Sequence, residues 1–173
     1  MNTPQDTDPG LSWLERIRKH IATFSGYADP ENRQSEDERF RRFLDTVVAG
    51  GMVRIEKLVH HVAEEKRLDL LSDFEHILSG LEVFRKELSG IPEGLADAGE
   101  PTESIISEWH REDFDFLQSM SAFLDRIEQI PVSSPERNDV LLLKDTLDRL
   151  LHRLRDRVRR HVSQTEPGDR EGR

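Results

Sequence analysis

Asp113, in the stretch "IISEWHREDFDFLQSM", is a carboxylate set among apolar residues at helical spacing. Ile106, Trp109, Phe116, Leu117, Met120 and Leu124 share one face of a helix, and Asp113 lies near the middle of that face. Burying a lone carboxylate there is costly, so it must be paired, hydrogen-bonded or beside water. Arg54 and His61 sit at the edge of a second apolar face, with Glu65 near its C-terminal end, and His161 lies on the apolar side of the last helical stretch. A polar pocket joining Arg54, His61, Asp113 and His161 would hold a small ligand or serve as an acid–base pair. The plainer reading is an ion pair that fixes helix register.

Metal and nucleophile chemistry have little to stand on. A dinuclear carboxylate bundle needs Glu-x-x-His on two helices and a glutamate on each of the others. The chain offers only Asp73-x-x-His76, directed away from its helix's apolar face, and Glu56 with His60, four apart and outward-facing. His20, His76 and His110 lack any paired arrangement and read as surface or boundary residues. There is no cysteine, no His-Glu-x-x-His, no glycine-rich phosphate loop and no Gly-x-Ser-x-Gly. Neither a metal nor a cofactor is expected, and catalytic residues are not assigned.

A second constellation is the run "RLLHRLRDRVRRH", from Arg149 to His161, with six arginines against one aspartate. Leu150, Leu151, Leu154 and Val158 supply an apolar stripe, and Arg149, Arg153, Arg157 and Arg160 are read as lying outside it. On that reading they form a hydrated face for an acidic protein partner. The stretch from Glu93 to Glu128 is acidic by contrast, with ten acidic residues against two basic. The arginine run carries no aromatic residue for stacking on bases, and the whole chain has a formal net charge of −10, which argues against nucleic acid.

The elements that must position these residues are helices. Charged residues make up 35% of the chain and apolar residues another 35%, a balance that suits helices with narrow apolar faces. Ser12 and Glu15 have capping-box spacing, opening a helix over about 12–24 that carries Trp13, Leu14, Ile17, Ile21 and Phe24 on one face. Ser35 and Glu38 suggest a second box, followed by Phe40, Leu44, Val47, Gly51, Ile55, Leu58 and Val62 at spacings of three and four. The next stripe is Leu71, Phe74, Leu78, Leu81 and Leu88, and it points roughly 110° away at 100° per residue. One straight helix would then bury two different faces, so a break is expected between Glu64 and Asp69. "SGIPEGLADAGEPTES" is a linker, and a fourth helix runs from about Thr102 to Ile130, before Pro131. Ser134 and Pro135 read as the N-cap and first residue of a fifth, with Val140, Leu143, Leu147, Leu150, Leu154 and Val158 as its stripe.

The expected fold is all-α: an antiparallel four-helix bundle with a short N-terminal amphipathic helix. Residues 1–10 are expected to be flexible, 11–162 one domain and 163–173 a disordered tail. Gly50 and Gly51 fall mid-helix, as a hinge or, more simply, where a neighbouring helix crosses closely. The N-terminal helix has three roles open to it: packing on the bundle, docking a protein partner or a second copy through Trp13, Leu14, Ile17, Ile21 and Phe24, or transient contact with a membrane surface through Arg16, Arg18 and Lys19. The opening "MNTPQDTDPG" lacks the character of a signal peptide, and no window approaches the roughly 18 apolar residues of a spanning helix. A cytoplasmic protein is expected. Its leading functional reading is a non-enzymatic accessory or adaptor that binds another protein through charged and apolar helix faces.

Overall fold

A computed structural model describes residues 10–90 and 101–163, apart from the side chains of 158 and 160–163. The expected N-terminal flexibility, the linker core at 91–100 and the tail beyond 163 lie outside the described residues. Five helices make up the fold: α1 (Trp13–His20), α2 (Arg33–Glu64), α3 (Leu68–Ser89), α4 (Glu103–Gln129) and α5 (Arg137–Ser163). The four long ones form a bundle, and the described residues contain no strand.

Consecutive long helices run in opposite directions. Asp45 on α2 pairs with Arg85 on α3, and Arg153 on α5 donates to Ser119 on α4, so each hairpin is antiparallel. The two hairpins then lie side by side, α3 on α5 and α4 on α2, and α1 packs on α4. Across these seams the helices are parallel, with Asp73 meeting Lys144 and Glu87 meeting Arg155 between α3 and α5. Leu44, Ile55 and Leu58 of α2, Phe74 and Leu81 of α3, Phe123 of α4, and Val140, Leu147 and Leu154 of α5 are all buried. Burying such side chains stabilises the fold by about 1.5–3 kcal/mol each relative to exposure.

The break between α2 and α3 falls where two stripes disagree in direction. Lys66 adopts φ 56°, the Arg67 amide donates to the Val62 carbonyl, and the Lys66 amide donates to the Ala63 carbonyl. This is a left-handed helix stop made without glycine. Gly51 marks a close crossing rather than a hinge, because a Cβ there would lie 2.6 Å from Leu124 Cδ2 on α4, and α2 runs unbroken through it. Gly80 does the same against Leu147 of α5.

Several boundaries and faces differ from expectation. The Ser12–Glu15 capping box is present, but α1 ends at His20, so Ile21 and Phe24 belong to the following loop. No box forms at Ser35: α2 begins at Arg33 because an Asp29 turn, with its carboxylate accepting from Glu31 N and Asn32 Nδ2, starts the helix earlier. α5 starts at Arg137 rather than Pro135, whose carbonyl accepts from Arg67 across the bundle end. The buried row of α3 is Leu70, Phe74, Ile77, Leu81, Phe84 and Leu88, leaving Leu71 and Leu78 at its edge, because α2 and α5 flank it on both sides. On α2, Val48 rather than Val47 faces inward.

Candidate functional site

The buried faces of α2, α4 and α5 each carry charge at the same end of the bundle. On α2 the buried series Val48, Leu44 and Phe40 continues backward to Asp37 and Arg33. On α4 it passes from Phe116 to Asp113, and on α5 from Leu154 to Arg157. Helical spacing therefore drives these charged groups into one place, and they meet as partners. Arg157 Nε donates to Asp113 Oδ1 at 2.6 Å and Nη2 reaches Oδ2 at 3.2 Å, a bidentate pair. Its Nη1 donates to Asp37 Oδ1 at 2.7 Å, spanning α2 and α5 across the bundle diagonal. Arg41 Nε donates to Asp37 Oδ2 at 2.7 Å, and Arg41 Nη1 caps the end of α3 through the carbonyls of Leu88 and Gly90. The Arg157 guanidinium also lies 4.7 Å from the centre of the Phe40 ring.

The loop between α1 and α2 closes this cluster. Tyr27 is fully buried, and its hydroxyl donates to Asp113 Oδ2 at 2.5 Å while accepting from Arg157 Nη2 at 2.9 Å. Arg33 Nε donates to the Tyr27 carbonyl, Ser25 N donates to Glu36, and Arg18 Nε donates to the Phe24 carbonyl. Tyr27 N donates to His110 Nε2 at 3.3 Å, and the two rings stack with centres 5.4 Å apart. Gly26 adopts φ 93°, and a Cβ there would come within 2.8 Å of His110 Nε2, so this turn requires glycine.

Burial sets the electrostatics. It pushes the Tyr27 phenol well above its ordinary range, and the Asp113 charge adds to the shift. Burial alone would lower the Arg157 pKa, yet Asp113 and Asp37 outweigh it and hold the guanidinium protonated. His110 is pulled below the ordinary imidazole value by burial, with Asp113 opposing and Arg18 reinforcing the shift. Each buried charged residue or histidine among the described residues (Arg33, Glu36, Asp37, Arg41, His110, Asp113 and Arg157) has a hydrogen-bond partner. The arrangement is a buried ion-pair cluster in which these charged groups are engaged by protein partners.

Asp113 is thus buried and paired, but not with the residues grouped with it from sequence. Arg54 donates to the Ile130 carbonyl at the opposite end of the bundle. His61 lies in the last turn of α2, 24 residues and about 36 Å of helix from Asp37. The side chains of His161 and Arg160 lie outside the described residues. Arg157, assigned above to a hydrated face, is only 2% exposed, because it continues the Leu150–Leu154 row rather than lying outside it. Arg153 is half-buried on Phe116 and Ser119, whereas Arg149 stays at the surface beside Asp145. The apolar face of α1 is consumed internally: Ile17, Ile21 and Phe24 are buried, and Trp13 lies against Phe114. Trp13 and Leu14 are only partly buried.

Sequence reasoning missed Tyr27, Arg33, Asp37, Arg41, His110 and the inward role of Arg157. The available signal was the stripe itself: one turn back from Phe40 on α2 it lands on Asp37, and three residues on from Leu154 on α5 it lands on Arg157, beside the Val158 of the expected stripe. Among the described residues no group of three or more His, Asp or Glu could hold a metal ion, and no helix is long and apolar enough to cross a membrane. No family model, characterised protein or solved structure matches the chain.

Proposed function

We propose that this protein is a non-enzymatic helical accessory or adaptor that binds another protein through the outward charged face of α5. The observation that carries the reading is the disposition of charge. The buried ionised groups are committed to internal partners, while on α5 the side chains of Arg149, His152 and Arg159 are 65%, 76% and 79% exposed. Their contacts, Arg149 with Asp145 and His152 and Arg159 with Asp156, are exposed and lie within one helix, where such pairs add little stability. An acidic partner surface would exchange such pairs at small cost. The net charge of −10 disfavours nucleic acid as that partner.

The test is affinity capture with the intact protein beside an Arg149→Ser/Arg159→Ser variant of equal helicity, followed by salt titration of each captured complex. Binding at least tenfold weaker in the variant, with a shallower salt dependence, supports the reading. Unchanged binding removes α5 from the account, and recovery of nucleic acid in place of protein replaces the adaptor reading.

A further inference from the structure

We propose that the segment from Trp13 to Asn32 is an acid-released strap, held over the end of the bundle by neutral His110 and let go when that imidazole takes up a proton. The geometry lies in one contact. Tyr27 N–H points at His110 Nε2, so that nitrogen serves as an acceptor and the ring proton sits on Nδ1. Protonating Nε2 sets two donors against each other. The stacked Tyr27 ring and the close approach of Gly26 leave the imidazole little room to turn aside.

The groups around His110 decide how that proton is received. From α1, Arg18 adds positive charge, and His20 shares contact with Phe114. From α2, Glu36 holds Ser25 N and Asp37 is engaged by Arg41 and Arg157. From α5, Arg157 lies beyond Tyr27. On α4 itself Asp113 would attract an imidazolium, but its oxygens already accept from Arg157 and Tyr27. Burial favours the neutral ring.

The segment is suited to leave as a unit. Arg18 ties the Phe24 and Ser25 carbonyls back to α1, inside the strap. It is attached to the body by Tyr27 to His110, Asp113 and Arg157, by Arg33 to the Tyr27 carbonyl, Glu36 to Ser25 N and Arg39 to Thr23, and by the burial of Ile17, Ile21, Phe24 and Tyr27, so the His110 contact is one of several that must give way together. The four long helices keep their own packing when it opens. Opening would uncover Trp109 and the cluster around Arg157, a surface separate from the outward face of α5.

The sign follows from linkage. The closed state binds the His110 proton more weakly than the open state, so opening is least at neutral pH. It increases by about tenfold per pH unit as pH falls below the open-state value near 6.5, until the closed-state value is passed. Hydrogen exchange of the full chain, corrected for the intrinsic pH dependence of exchange, reads this directly. Amides of residues 13–32 should gain exchange on acidification while those of α3 and α5 stay protected. His110→Gln keeps an acceptor but cannot titrate, and should abolish the slope; His20→Gln should retain it. A slope that persists in His110→Gln, is absent from the intact protein, or spreads equally to α3 and α5 overturns the proposal. Should His110→Gln fail to fold, an imidazole titration of the intact protein decides: His110 and the Trp13 indole must report the same midpoint, and separate midpoints overturn it.

Discussion

Arg157 reaches α4, α2 and the first loop with a single planar group, through Asp113, Asp37 and Tyr27. A lysine offers no such fork, and loss of the guanidinium leaves two buried carboxylates short of a partner. Arg157→Met should therefore cost about 3–5 kcal/mol in urea denaturation, a large share of the total stability of a domain this size. Adding Asp113→Leu to Arg157→Met should return part of that loss, since it removes an uncompensated buried carboxylate while Asp37 retains Arg41, although the Tyr27 hydroxyl loses its Asp113 acceptor. A single variant within about 1 kcal/mol of the intact protein would mean that water reaches the cluster. Tyr27 gives a cleaner readout, because it is the only tyrosine in the chain. Its phenol is raised by burial and by Asp113, so the folded state resists ionisation beyond the ordinary value near 10. Stability from this group is complete below that value and declines as pH rises through the window up to the folded-state value. Tyrosinate absorbance should consequently appear together with loss of amide protection in the segment from Trp13 to Asn32, not before it. A phenol that titrates near 10 in the folded protein would show that the loop does not seal the cluster.

At the scale of elements, adjacent glycines in α2 have opposite surroundings. A Cβ at Gly50 meets nothing within 4 Å, whereas at Gly51 it would press on Leu124. Gly50→Ala should stabilise the protein by about 1 kcal/mol through helix propensity alone. Gly51→Ala should gain distinctly less, because Leu124 must turn away, and Gly51→Leu should destabilise by overpacking. Thermal melts of the three variants test the order, and equal gains at both alanines would contradict the crossing. Periodicity made the helices and the break near Lys66 legible, since rows three and four apart mark a buried face whatever their partner. It also marked Gly51 as a crossing. The cluster was less legible for a physical reason: charge at a stripe position looks like the end of the buried face when it is the buried face continuing. Asp113 was visible because apolar residues flank it on both sides. Asp37 lies where its stripe runs out and Arg157 beside the last apolar residue of its own, and only the register between helices brings them opposite one another. No one-dimensional pattern encodes that register, and Tyr27 and His110, drawn in by the fold of a loop, left no periodic trace.

For the molecule as a whole, the main consequence is that its two hairpins are joined by a fastening at one end. α2 packs on α3 and α5 on α4, while the charge cluster ties α2, α4 and α5 together and Arg41 adds the end of α3. α1 and its loop then cover that end with Ile17, Phe24 and Tyr27, all essentially inaccessible to solvent. A short helix of this kind has little stability of its own and stays formed because its face is buried on α4. With Ile17 and Phe24 buried in this way, association with a second copy through them is expected only when the cover is displaced. The prediction is conditional on the cover staying in place. The intact protein should show a mass independent of concentration, in so far as α1 is the dimerising element. Ile17→Asp combined with Phe24→Asp should dislodge the cover, because two carboxylates without partners are too costly to bury there. Trp109, Phe40 and Phe114 then lose their shield, and the variant should associate with rising concentration as an exposed apolar patch does. Sedimentation or light scattering across a concentration series measures it, with circular dichroism to confirm that the long helices persist. A variant that remains monomeric with its helices intact would show that this end of the bundle is sealed by its charge cluster without help from the segment above it.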